Sequence, residues 1–101
     1  MWTLTVTTAA WDDIENAALW YREMSEGLAA RFAATVAQTL LRISSQPLLY
    51  PCVKGDMRRV LLPGRFPYSL FFRAEDRRVL VFACFHNRRN PAVWQQRREE
   101  K

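Results

Sequence analysis

Glycine, histidine and cysteine are all scarce in this chain, and each shortage removes a class of chemistry. Glycine occurs only as Gly27, Gly55 and Gly64, too few and too scattered for a loop that cradles phosphate. His86 is the only histidine. It belongs to no H-E-x-x-H pair and has no serine or cysteine nucleophile beside it, which argues against a hydrolytic triad. Cys52 and Cys84 sit in unrelated contexts, neither in a C-x-x-C nor in a zinc-ligand spacing, so no metal site is expected. Cys84 lies in an apolar run and reads as a small buried hydrophobe, Cys52 as a loop thiol, with no disulfide in a reducing compartment. No apolar run approaches the roughly 20 residues that cross a bilayer. Met1-Trp2-Thr3-Leu4-Thr5 lacks the charged start and apolar core of a signal peptide. A cytoplasmic protein with no membrane partner is the expectation.

What is present fits one domain over residues 1–101: half of the residues are apolar and a quarter charged, a globular composition. Charge is unevenly spread. Residues 1–50 hold three basic and five acidic side chains, whereas residues 51–101 hold twelve basic and five acidic. Thirteen of the basic residues are arginine, suited to planar, bidentate contacts with carboxylates or phosphates. Such a half calls for an anionic partner, nucleic acid or an acidic peptide; a solvated basic surface that keeps a small protein soluble is the plainer alternative.

Trp2, Leu4 and Val6 alternate with Thr3 and Thr5, the period of a half-buried strand. Thr7 or Thr8 can cap a following helix over about 9–24, whose first turn would place Asp12 and Asp13 at the positive end of the helix dipole. Trp11, Ile14, Ala18 and Tyr21 make its apolar face. After Ser25-Glu26-Gly27 a second stripe, Leu28, Phe32, Val36, Leu40 and Ile43, runs to Pro47. The break is too short for a crossover, so the helices form an antiparallel hairpin. Residues 47–57 read as a loop. Three strands follow, 58–62, 67–73 and 77–86, with Ala74-Glu75-Asp76 as the tip between the last two. Val79 to Phe85 is apolar at every position, which marks a central strand covered on both faces. One face meets the helical hairpin; the other meets either Pro91–Arg98, anchored by Trp94, or a partner. The class is α+β: an N-terminal strand, a helical hairpin packed on a mostly antiparallel sheet, and a short C-terminal helix.

Arginine, one histidine and tyrosine leave RNA strand cleavage as the remaining chemistry, or no chemistry at all. Cleavage needs a base for the 2′-hydroxyl, an acid for the leaving oxygen and cations over the phosphorane. His86 can be acid or base, and Arg65, Arg88 and Arg89 can hold the phosphate. Against this, no second acid or base lies beside His86 in sequence, and Tyr68 reads as a half-buried aromatic. Arg58-Arg59, Arg77-Arg78, Arg88-Arg89 and Arg97-Arg98 are basic pairs, but neighbours on a strand face opposite ways, which weakens a simple nucleic-acid patch. Trp2, Trp11, Trp20 and Trp94 are core candidates, Trp20 also a candidate for solvent or partner contact.

The strand, the helical hairpin ending near Gln46-Pro47, the Pro51 loop, Arg58-Arg59, Arg65-Phe66-Pro67-Tyr68 and the closing His86-x-x-Arg89-x-Pro91-x-x-Trp94 together resemble the ParE branch of the RelE/ParE superfamily of type II toxins. The resemblance spans Val6 to Trp94. It implies a small toxin held in check by a cognate antitoxin in a hetero-oligomer, with no cofactor and with operator DNA reached only through the antitoxin. ParE-like members are associated with inhibition of DNA gyrase by binding, without an active site; RelE-like members cut mRNA on the ribosome. No tyrosine follows His86 and Lys54 is the only internal lysine, a departure from the RelE pattern that favours the gyrase alternative over the endonuclease; an inactive member is the third alternative. The expected antitoxin- or target-binding residues are Arg58, Arg59, Arg65, Arg73, Arg88, Arg89 and Trp94. A catalytic role falls to His86, Arg65 and Arg88 if the protein is a nuclease.

Overall fold

The computed structural model describes residues 1–100, apart from the side chains of Trp94, Arg98, Glu99 and Glu100. Its elements run β1 (Thr3–Val6), α1 (Thr8–Met24), α2 (Glu26–Ser45), a 3-10 turn (Pro47–Leu49), β2 (Cys52–Lys54), β3 (Met57–Leu61), β4 (Tyr68–Glu75), β5 (Arg78–His86) and α3 (Pro91–Glu100). The five strands form one sheet in the order β1-β5-β4-β3-β2, with β1 parallel to β5 and the other pairs antiparallel. The α+β architecture expected from the sequence is present.

Local chemistry sets the boundaries. Thr7 stays extended and its hydroxyl accepts the Ala10 N–H at 3.1 Å, capping α1. Asp12 and Asp13 therefore fall in the second turn, not the first as expected, and the dipole argument for them lapses. Ser25 alone separates the two helices. Its N–H donates to the Tyr21 carbonyl at 3.0 Å, closing α1, while its hydroxyl accepts the Leu28 N–H at 3.0 Å, opening α2. The helical break is thus one residue, because one serine serves as last cap and first cap. The expected loop over 47–57 contains instead the 3-10 turn and β2, which is too short and exposed to show alternation. The hairpin tip also moves: β4 continues through Glu75, and Asp76 and Arg77, at φ of 53° and 63°, make the turn. Both central residues lie in the left-handed region, as a two-residue turn matched to strand twist requires.

The helical hairpin covers one face of the sheet, where Ile14, Tyr21, Phe32, Val36 and Ile43 meet Val60, Leu70, Phe72, Val79 and Val81. On the other face Met57, Phe71, Phe82, Ala83 and Phe85 form a second cluster with Val93 of α3 against it. Both faces of β5 are covered, as its uniformly apolar sequence demands. Trp11 departs from expectation: Ala10 and Ala17 are buried and Trp11 is 44% exposed, so the stripe of α1 lies one residue round the helix from the one expected.

Candidate functional site

A bulge in β5 creates the site. Phe71 of β4 stands opposite Ala83, but the next residue, Phe72, stands opposite Val81. Phe82 is the extra residue, and alternation changes phase there. Val79 and Val81 point to the helices before the bulge, Cys84 after it. His86, two residues beyond Cys84, shares that face and packs edge-on against Tyr68, ring centroids 5.3 Å apart. Unbroken alternation from Val79 would have sent His86 to the opposite face.

His86 and Tyr68 sit in an open cleft of about 620 Å³ between α1 and the β4–β5 pair, lined also by Asp13, Asn16, Trp20, Met24, Arg65, Cys84 and Arg89. Trp20 and Met24 are 52% and 55% exposed, an apolar lip on α1. Tyr21 and Phe32 support the Tyr68 ring, with ring centroids 6.2 Å and 5.6 Å from it. Burial, and secondarily the neighbouring Cys84, raises the Tyr68 phenol above its ordinary value. Burial likewise raises Tyr21, reinforced by Tyr68 and Cys84. Cys84 is pushed up to about 12 by burial and then by the Asp13 carboxylate, so at neutral pH it is an inert thiol. The His86 Nδ1 accepts the Arg88 N–H at 3.1 Å. In the neutral ring that bond leaves the proton on Nε2.

Asp13 is the one carboxylate in the cleft lining, and it is already committed. It accepts the Cys84 N–H at 3.0 Å and pairs with Arg97 at 3.1 Å. Sequence reading gave Asp13 only a helix-dipole role and passed over Asn16 and Met24. Asp13 meets a partner 84 positions away, which no local spacing announces.

The arginines scatter. Arg65 and Arg89 line the cleft, Arg89 also lying over the Phe85 ring at 4.7 Å. Arg88 is exposed and does not line it, its backbone N–H donating to His86. Arg58 and Arg59 diverge as strand neighbours must: Arg58 donates to the Tyr50 carbonyl at 2.6 Å, while Arg59 donates to Ser69 at 3.1 Å and lies over Phe71. Arg73 lines a separate hollow with Thr5, Glu75 and Arg78 at the other end of β4. The Trp94 side chain lies outside the described residues. Of the catalytic candidates, then, the fold brings His86 and Arg65 together and leaves Arg88 out.

The sequence matches the family model described as the ParE toxin of type II toxin-antitoxin system, parDE, over residues 4–91. The chain belongs to the ParE toxin family. No curated protein matches the sequence. Among solved structures, the RelBE2 toxin-antitoxin complex from Mycobacterium tuberculosis contains a chain with 21% identity and a TM-score of 0.61, the alignment covering 84% of this chain and 96% of that one. The chromosomal ParDE system from P. aeruginosa contains one with 16% identity and a TM-score of 0.63, covering 85% and 96%. At those identities the likeness of this ParE-family chain to them is one of fold.

Proposed function

We propose that this ParE-family chain is a toxin neutralised by a cognate antitoxin and that it arrests DNA gyrase by binding, without cutting nucleic acid. The observation that carries the reading is the absence of a free base among the described side chains of the cleft. Tyr68 is held protonated by its raised pKa. The Nδ1 of His86 is engaged by the Arg88 N–H. Asp13 is spent on Arg97 and on the Cys84 amide. A phosphate chain entering the cleft would find donors and cations but nothing to take the 2′-hydroxyl proton. What the cleft offers is a binding surface: the Trp20 and Met24 lip with Arg65 and Arg89 beside it.

A second reading, ribosome-dependent mRNA cleavage, draws on one observation: Tyr68, Arg65 and Arg89 surround His86 although sequence placed no acid or base beside it. The two readings separate in one experiment. The purified chain and its His86→Ala variant are incubated with gyrase, ATP and relaxed plasmid, and in parallel with translating ribosomes. Inhibited supercoiling or trapped cleavage complexes, retained in His86→Ala, support the gyrase reading. Supercoiling untouched by folded protein, with mRNA cut by the parent and not by His86→Ala, overturns it in favour of the nuclease.

A further inference from the structure

Two hollows meet at Arg65. One is the cleft already described; the other, of about 640 Å³, lies between α2 and the loop that joins β3 to β4, and Arg65 lines both. Gly64, at φ 80°, takes the left-handed conformation that turns this loop just before Arg65, which glycine adopts without a Cβ clash. Phe66 then packs against Tyr21 of α1 and Phe32 of α2, ring centroids 5.2 Å and 5.3 Å away. Anchored by that ring, the loop holds the exposed Arg65 on the ridge between the two hollows.

The two hollows repeat one set of groups. The cleft has Trp20 and Tyr68 as aromatic walls, the exposed Asn16 amide and Arg89; beyond the ridge stand Phe66, the exposed Gln38 amide and Arg31. Among the described residues, the side chains of Asn16, Gln38, Arg31 and Arg65 have no hydrogen-bond or ion-pair partner. Arg89 is stacked on Phe85 without an ion pair. The one carboxylate in the two linings, Asp13, is committed to Arg97 and the Cys84 amide. Three arginine charges therefore stay uncompensated along a line of cup, ridge and cup. A strand of unpaired nucleotides presents the matching series: a flat base with donors and acceptors on its edge, a phosphate, and a second base. An acidic peptide would meet the arginines, but its carboxylates offer no ring to Trp20 and no edge to the amides.

We infer that the two hollows hold successive bases of an unpaired nucleic-acid strand, with the phosphate between them on Arg65 and the flanking phosphates on Arg89 and Arg31. Trp20 supplies a stacking face, and Asn16 and Gln38 meet the base edges. A duplex is refused, because pairing hides those edges and stacking hides those faces. The inference rests on the reading of the cleft as a surface that binds without cutting. It adds what that surface takes from gyrase working on its DNA.

The test follows a fluorescein-labelled oligothymidylate by anisotropy on the full-length chain, beside oligouridylate, a duplex of the same length and a polyglutamate peptide. Thymidylate should bind, shift the indole N–H resonance of Trp20 and lose affinity as salt rises. Arg65→Gln should weaken binding about tenfold and reduce the salt slope by about 0.7, as loss of one phosphate contact on a single strand requires. Trp20→Ala should weaken it by roughly fivefold or more. Both replace exposed side chains, and an unchanged unfolding temperature checks that the fold persists. Arg78→Gln removes an exposed arginine from the hollow at the other end of the β4–β5 pair and should leave binding within about twofold. Uncut uridylate bound as well as thymidylate supports the inference, since the chemistry is shared. Equal losses in Arg65→Gln and Arg78→Gln overturn it, reducing the binding to general attraction. So do a duplex held as tightly as the single strand, uridylate that is cut, no binding at all, or polyglutamate that displaces thymidylate, which would make the surface a protein-docking site. The supercoiling assay reports separately on the gyrase reading: inhibition by a chain that ignores the oligonucleotide keeps that reading and loses this one, and binding without inhibition does the reverse.

Discussion

Asp13 illustrates how one side chain holds two layers together. β5 is longer than its parallel neighbour β1, and the ladder between them ends where the Thr7 N–H meets the Val81 carbonyl. Beyond that point the Cys84 N–H donates to Asp13, and the Phe82 carbonyl accepts from Arg97 at 3.2 Å. The Asp13–Arg97 ion pair, with side chains 14% and 20% exposed, stands in for a missing strand and ties α1 to α3 across the edge. The same carboxylate helps to keep the Cys84 thiol protonated, and a prediction follows from its sign. A thiol raised from 9.0 to about 12 binds its proton more tightly folded than unfolded. It leaves stability unchanged below pH 9 and removes it progressively as pH rises from 9 to 12, at about 1.4 kcal/mol per pH unit where the slope is full. Tyr21 and Tyr68, raised from 10.0, act in the same direction at higher pH. Denaturant unfolding at stepped alkaline pH should therefore show a decline in the wild type that begins about one unit later in Cys84→Ala. Identical profiles for the two proteins would show that Cys84 does not titrate as its surroundings require.

Between α1 and α2 the connection is a single residue, which closes one helix and opens the next. Ser25 is extended, with φ at −171°, and uses both its amide and its hydroxyl. Ser25→Ala removes only the hydroxyl cap and should cost about 1 kcal/mol. Ser25→Pro removes the amide bond to Tyr21 and demands a φ near −65°, so it should cost roughly 3 kcal/mol or more. Midpoints of chemical unfolding check both; equal losses would mean that the backbone bond contributes nothing. Elements of this kind were legible in the sequence where a period and a cap coincided, as in β1, α1 and α2. β2 was not, because three exposed residues carry no alternation, nor was the one-residue linker, because Glu26 and Gly27 look like breakers yet open a helix that Ser25 has already capped. The bulge at Phe82 was hidden for a different reason: in a strand apolar on both faces, a change of phase leaves no trace in the pattern.

Over the whole molecule that phase change decides what could be anticipated about the site. His86, Tyr68 and Arg65 were visible as candidates from residue type. Their convergence with Arg89, and the separation of Arg88, Arg58 and Arg73 from them, depend on strand pairing between residues far apart in sequence. Tertiary structure also sets the roles of the two sheet faces. The inner face has two long helices over it, but the described contacts on the outer cluster of Met57, Phe71, Phe82 and Phe85 are few: Val93, the Arg97 guanidinium 4.9 Å from Phe85, and the arginines of β3 and the β5–α3 turn. Ending the chain at Asn90 should uncover this aromatic cluster while leaving the helical hairpin in place. The expected result is strong binding of a hydrophobic dye and a loss of roughly 2 to 4 kcal/mol, from lost apolar burial and from the broken ion pair. Full-length Arg97→Ala separates the two contributions, since it breaks the pair but keeps α3 and Val93 on the sheet. Dye binding in the truncated chain and not in Arg97→Ala would assign the covering role to α3 itself. Dye binding of equal strength in both would place it in Arg97, whose guanidinium then acts as the lid over Phe85, and a truncated chain as stable and dye-silent as the parent would show that the outer cluster needs no cover.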